Sequence, residues 1–206
     1  MIVLSACNTD EKDNDSSTNL ADNAPVATSG ADATGSPSSS TQGDSDKEQT
    51  TSSTTLSYEI AGKAYSDEII TTKSEELNYT VSLTDKFYLT LEEPGKDLVV
   101  YKDNEAITMR VETFINEDEA FENLLLNSKD MLSAISTNDQ YNNFPLPKQF
   151  NLNKYAKIES YIVEYESDKV ILLLLEKDDL IIRLTLFDDY ITNVTDAFLQ
   201  IGATIE

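Results

Sequence analysis

The run Val170-Ile171-Leu172-Leu173-Leu174-Leu175 constrains this chain more than any other stretch. In an extended strand successive side chains point to opposite faces, so six consecutive aliphatic residues leave no face for water. The run therefore reads as a central strand covered on both sides. It is flanked by Glu166-Ser167-Asp168 and Glu176-Lys177-Asp178-Asp179, beyond which Tyr155 to Tyr165 and Leu180 to Phe187 also read as strands. Loops this short imply antiparallel hairpins, hence a three-strand meander.

Upstream, Tyr79 to Leu83 and Phe87 to Leu91 alternate apolar and polar residues, and Leu98 to Tyr101 does so less cleanly. Pro94-Gly95 marks a turn, and Ala106 to Phe114 reads as a further strand. A helix then follows. Asn116 and Glu119 have capping-box spacing, and Phe121, Leu124, Leu125, Ser128, Leu132 and Ile135 share one helical face that should pack on a sheet. Residues 136–150, with Pro145 and Pro147, are turn-rich, and a closing helix is expected from Asp188 or Asp189. Together these elements predict an α+β fold: an antiparallel sheet covered by helices. The order resembles the PsbP-like α/β/α sandwich over about residues 79–206, through the 79–91 hairpin, the mid-chain helix, the meander and the terminal helix. That resemblance implies binding or assembly rather than catalysis, although a fold does not fix a function.

The folding composition begins at residue 56. From residue 8 to 55 the chain is Ser, Thr, Asp, Asn, Ala and Gly, with Leu20 and Val26 its only large aliphatic residues. Such a segment buries too little apolar surface to offset the entropy of ordering, so it is expected to be a disordered acidic linker. As a flexible coil it would span roughly 35–40 Å. It carries nine acids against two lysines, which leaves −16 of the chain's net −23 to residues 56–206. The expected organisation is therefore 1–7, 8–55 and a globular 56–206.

Residues 1–7 end in Leu4-Ser5-Ala6-Cys7, which resembles the bacterial lipobox: an aliphatic residue, two small ones, and the cysteine that takes a diacylglyceryl group. Acyl chains contribute about 0.8 kcal/mol per buried methylene, so two or three anchor stably. Only six residues precede Cys7 and none is basic, whereas a signal peptide needs a charged start and a longer apolar stretch. The expectation is a truncated signal whose true start lies upstream. The implied protein is a lipoprotein on the extracytoplasmic face of the cell membrane, in a Gram-positive-like cell.

The remaining composition narrows the chemistry. The acidic surface excludes nucleic acid as a partner, since no basic block exists to release counterions. There is no histidine and Cys7 is the only cysteine, which removes the usual general base and zinc-ligand clusters. No cofactor or metal is expected. Glu117, Asp118 and Glu119 read as acids favoured at a helix start. Asp178-Asp179 and Asp188-Asp189 lie at opposite ends of one strand, roughly 25 Å apart, too far for a glycosidase-like dyad; they read as a turn and a helix cap. Period-two alternation places Tyr155, Lys157, Glu159, Tyr161, Val163 and Tyr165 on one strand face, with Tyr155, Tyr161 and Tyr165 as candidate ligand-binding aromatics for a glycan or peptide. No nucleophile elbow, phosphate loop or dinucleotide fingerprint occurs. The leading expectation is a non-catalytic binding or accessory lipoprotein, with a protein of basic surface as a possible partner. The alternatives are a carboxylate-dependent cell-wall hydrolase and a small-ligand-binding lipoprotein.

Overall fold

The structure, a computed structural model, describes residues 55–148 and 150–206. The expectations for Cys7, the signal and nearly all of the linker lie outside these residues. Within them the chain runs β1 (Thr55–Ile60), β2 (Lys63–Glu68), β3 (Ile70–Lys73), β4 (Thr80–Leu83), β5 (Phe87–Glu93), β6 (Lys96–Tyr101) and β7 (Thr108–Ile115). Helix α1 (Ala120–Ile135) comes next, then β8 (Asn142–Asn143), β9 (Lys157–Glu164), β10 (Asp168–Lys177), β11 (Leu180–Asp189) and α2 (Thr195–Gly202).

Seven strands form one antiparallel sheet in the order β5-β6-β7-β11-β10-β9-β8, and the pairs β1–β2 and β3–β4 form two small sheets. The aliphatic run lies inside β10, where Ile171 to Leu175 are all 0% exposed. Its register pairs Leu173 with Ser160 on β9 and with Leu184 on β11. The meander is thus as the short loops require.

The expected helix-covered α/β/α sandwich is overturned. The described chain is predominantly β, with only two α-helices, of 16 and 8 residues. On one face of the large sheet, the place of a helical layer is largely taken by strands. Tyr58 and Ile60 of β1, and Val81 and Leu83 of β4, join Phe198 and Ile201 of α2 over Val99, Met109, Leu173 and Leu184. The physical reason is the β1–β2 turn. Ala61 and Gly62 both have positive φ, 51° and 74°, the geometry of a two-residue turn matched to strand twist. It folds a polar-looking stretch into a hairpin that buries Tyr58 at 3% and Ile60 at 6% exposure.

The opposite face carries α1. Phe121, Ser128 and Leu132 are buried against it, with Tyr161, Val163 and Leu172 around Leu132 and Leu174 and Ile181 around Phe121. Beneath the helix lies an ion pair. Glu112 and Arg183 face each other in register across β7 and β11, joined by two hydrogen bonds of 2.7 Å. Arg183 also donates to Asn127 Oδ1 on α1 at 2.9 Å and lies 5.3 Å from the centre of the Phe114 ring.

Both helix starts differ from expectation. Asn116 does not cap α1; its side-chain amide donates to Glu176 and to the carbonyl of Asp178, both at 3.3 Å. Glu119 sits in the left-handed region at φ 62° and makes no side-chain cap, so no capping box forms, and Asn116 pins the β10–β11 turn instead. α2 starts at Thr195 rather than at 188 or 189, because β11 continues to Asp189. The Asp189 carboxylate then accepts from the N–H groups of Ile191 and Thr192, forming a turn before the helix.

Candidate functional site

The three candidate tyrosines are not brought together. Tyr155 precedes β9 and stacks on Phe150, ring centres 5.8 Å apart, against the core on the α2 side. Burial pushes its phenol up to about 12. Tyr161 is buried on the α1 side, with Tyr141 edge-on at 5.3 Å, the Lys129 ammonium 5.0 Å over its ring and its hydroxyl donating to Glu159. Tyr165, just past β9, donates to the Ile135 carbonyl at 2.6 Å and ties the strand to the end of α1. Tyr161 and Tyr165 therefore share one layer as packing groups, and Tyr155 belongs to the other.

The polar chemistry gathers instead where β10 begins and β11 ends. Lys169 opens the most apolar strand of the chain, and the hydrophobic run behind it carries it inside: its side chain is 7% exposed. Register places it opposite Asp188 of β11. The Asp188 side chain is fully buried, and its Oδ2 lies 3.4 Å from Lys169 Nζ. Removing one member of such a buried pair leaves the other charge uncompensated. Asp188 is further held by the N–H groups of Asp189 and Val194, at 2.8 and 3.2 Å, and by the Thr195 hydroxyl at 2.6 Å. Asp188 thus braces the turn ahead of α2 through Val194 and the Thr195 hydroxyl; it does not fill the expected helix-cap role, and the helix start has no side-chain cap.

Lys169 Nζ also donates to Asn193 Oδ1 at 2.6 Å and lies 4.9 Å over the Tyr190 ring. Asn193 adopts a positive φ of 43°, which Asn tolerates better than most residues. The Tyr190 hydroxyl donates to Glu164; that hydrogen bond, followed by burial, pushes the phenol up to about 12. Burial alone would raise Asp189, but the backbone and hydroxyl donors of Thr192 and the N–H of Ile191 outweigh it and hold the carboxyl below its ordinary value.

Lys169, Tyr190, Asn193 and Thr195 line a cleft of about 550 Å³, whose walls also include Asn142, Asn143, Phe144 and Glu164. A second cleft, of about 300 Å³, shares Phe144, Pro145, Asn193 and Thr195 with it and extends to Glu59 and Asp196. Side-chain amides that both donate and accept, two aromatic faces and a carboxylate suit a neutral ligand rich in hydroxyls or amides. Sequence reading missed Lys169, Asn142, Asn143, Tyr190 and Asn193. The one available signal was a basic residue immediately before the aliphatic run.

Among the described residues, no group of three or more His, Cys, Asp or Glu side chains is placed to hold a metal ion, and no helix is long and apolar enough to cross a membrane. No family model matches the chain, and no curated protein matches it. Among solved structures, a crystal structure from Bacteroides thetaiotaomicron VPI-5482 is similar in part. It is 11% identical, with a TM-score of 0.40, and the match covers 62% of this chain but only 44% of that one.

Proposed function

We propose that this chain is a lipid-anchored protein of the extracytoplasmic face of a bacterial membrane, attached through Cys7, whose globular part binds a ligand without transforming it. The anchor reading rests on the sole cysteine closing Leu4-Ser5-Ala6-Cys7 at the head of a polar acidic segment. The binding reading is carried by the cleft around Tyr190, where Asn142, Asn143 and Asn193 offer amides beside aromatic faces. Its lysine is engaged by Asp188 and Asn193 rather than poised as a nucleophile. A protein held at the outer face by a linker of roughly 35–40 Å has cell-wall glycopeptide within reach, and such a ligand carries the hydroxyls and amides the cleft suits.

The anchor is tested by expressing the chain behind a complete lipoprotein signal and labelling with an alkynyl palmitate. The parent should label and partition into detergent, and Cys7→Ala should do neither; equal labelling of the two would overturn the reading. The cleft is tested by titrating soluble peptidoglycan fragments and following backbone amide shifts. Saturable shifts at Asn143, Tyr190 and Asn193 are expected, and silence there at millimolar ligand would refute the assignment.

A further inference from the structure

Among the described residues, Asp97 of β6 is a buried acid with no cation beside it. The buried Glu112 has Arg183 and the buried Asp188 has Lys169. Asp97 is 2% exposed, and its Oδ2 accepts one hydrogen bond, from the Tyr79 hydroxyl at 2.8 Å. Its side chain has no other hydrogen bond and no ion pair among the described residues. Tyr79 supplies a dipole but no charge, because burial, and then the bond to Asp97, raise its phenol and keep it neutral. A buried carboxylate without a counter-charge is costly.

The second oxygen of Asp97 is open. Among the described residues, the side-chain oxygens sealed from solvent without a partner belong to Glu176 and Thr185, so Asp97 Oδ1 is reached from the cleft that Asp97 lines. That cleft measures about 240 Å³, and Thr72, Lys73, Glu75, Leu89 and Leu91 also line it. The register pairs Leu91 with Asp97 and Leu89 with Val99, which puts both leucines on the face of the carboxylate. Leu91 is 42% exposed. The Ser74 hydroxyl accepts from the Leu77 N–H at 2.8 Å, and the Ser74 N–H donates to the Tyr79 carbonyl at 3.1 Å. This turn leaves Glu75 exposed on the rim while Tyr79 is buried. Lys73 is exposed too, and neither it nor Glu75 has an ion pair among the described residues.

We propose that this cleft binds a free α-amino acid with an aliphatic side chain. Its ammonium group donates to Asp97 Oδ1, its carboxylate meets Lys73, and its side chain lies on Leu89 and Leu91. Each part of the occupant answers a group in the cleft. The half-used buried carboxylate calls for a cationic donor, and a charge-assisted hydrogen bond is the strong kind. The lysine without an ion pair calls for an anion, and the half-exposed leucine for a short hydrocarbon. The volume lies below the roughly 300–1,000 Å³ of sites for drug-sized ligands, so the ligand is small. No lining residue is shared with the two clefts near Asn193. The site goes beyond the glycopeptide reading and the lipid anchor and depends on neither.

The test titrates the full chain at neutral pH with L-leucine, with isoamylamine, which lacks the carboxylate, and with N-acetyl-L-leucine, which lacks the ammonium. Leucine should give saturable amide shifts at Thr72, Leu89 and Asp97. Isoamylamine should bind about tenfold more weakly, and N-acetyl-leucine should not bind. Asp97→Asn should weaken leucine binding about tenfold or more, the loss of a hydrogen bond to a charged group. Lys73→Met should weaken leucine but leave isoamylamine unchanged, and it carries the test should Asp97→Asn fail to fold. Silence at Thr72, Leu89 and Asp97 with millimolar leucine, or equal binding of N-acetyl-leucine, would overturn the proposal. So would tighter isoamylamine binding in Lys73→Met, which would make Lys73 the counter-charge of Asp97 itself. Loss of the glycopeptide shifts at Tyr190 would not affect it.

Discussion

The two faces of the large sheet are built on different physics. The α2 side is a continuous apolar core. Phe87, Val99, Met109, Leu173, Leu184 and Phe198 meet there, and the fully buried Leu and Ile side chains each contribute about 1.5–3 kcal/mol through removal from water. The α1 side mixes aliphatic contacts with the Glu112–Arg183 pair, and over β5 and β6 no helix covers it among the described residues. Apolar burial is tolerant of detail, because any well-shaped hydrocarbon satisfies it. A buried ion pair is not: it attracts only in one register, and a missing partner strands a charge. One face therefore holds the sheet together, while the other fixes where α1 sits.

The sharpest way to break this comparison is to damage each face equally and then try to repair it. Phe198→Ala on the α2 side should cost about 3–5 kcal/mol in urea unfolding. Glu112→Ala should cost a similar 3–5 kcal/mol. The faces should separate at the second step. Adding Arg183→Met to a Glu112→Leu background should restore stability to within about 1 kcal/mol of the parent or exceed it, whereas no second substitution refills the Phe198 cavity so simply. Failure of the double variant to recover would mean the pair contributes more than its own desolvation.

A smaller effect of opposite sign is expected at Thr185. Its hydroxyl is buried on the α1 face with no hydrogen-bond partner, so Thr185→Val should stabilise the protein by about 1 kcal/mol; a loss in the same urea measurement would reveal a partner, such as a bound water. The smallest effect appears only in alkali. Burial raises Tyr155 from 10.0 to about 12, so in that window the unfolded chain loses this proton before the folded one does. The resulting stability is intact below pH 10 and disappears as pH rises toward 12. Tyr155→Phe should flatten that decline in pH-dependent unfolding, and an unchanged slope would show that the ring is more open to water.

The same contrast explains what could be read from the sequence. The Val170–Leu175 run, the short meander loops and the α1 periodicity were legible because each is a local signal dense in apolar residues. The β1–β2 hairpin was not, since in residues 55–68 Leu56, Tyr58, Ile60 and Tyr65 are scattered among Ser, Glu, Lys and Asp and only Tyr58 and Ile60 turn inward completely. The shared face assigned to the tyrosines failed because β9 begins at Lys157, two residues after Tyr155. The cleft was illegible for another reason. Asn143, Glu164, Lys169, Tyr190 and Thr195 come from separate strands and loops, with no spacing to announce them.

Asp188 carries one more consequence, for the substitutions its position can accept. Its two oxygens serve four partners: Lys169, the amides of Asp189 and Val194, and the Thr195 hydroxyl. Asparagine would offer one acceptor oxygen where two are used and would bring an N–H2 group against donors. Glutamate would carry the carboxylate a methylene too far from the strand. The cleft and the start of α2 are consequently locked to a single side chain. An amino-acid replacement intended to reshape ligand preference would meet less resistance at Asn142, Asn143 or Tyr190 than at this carboxylate.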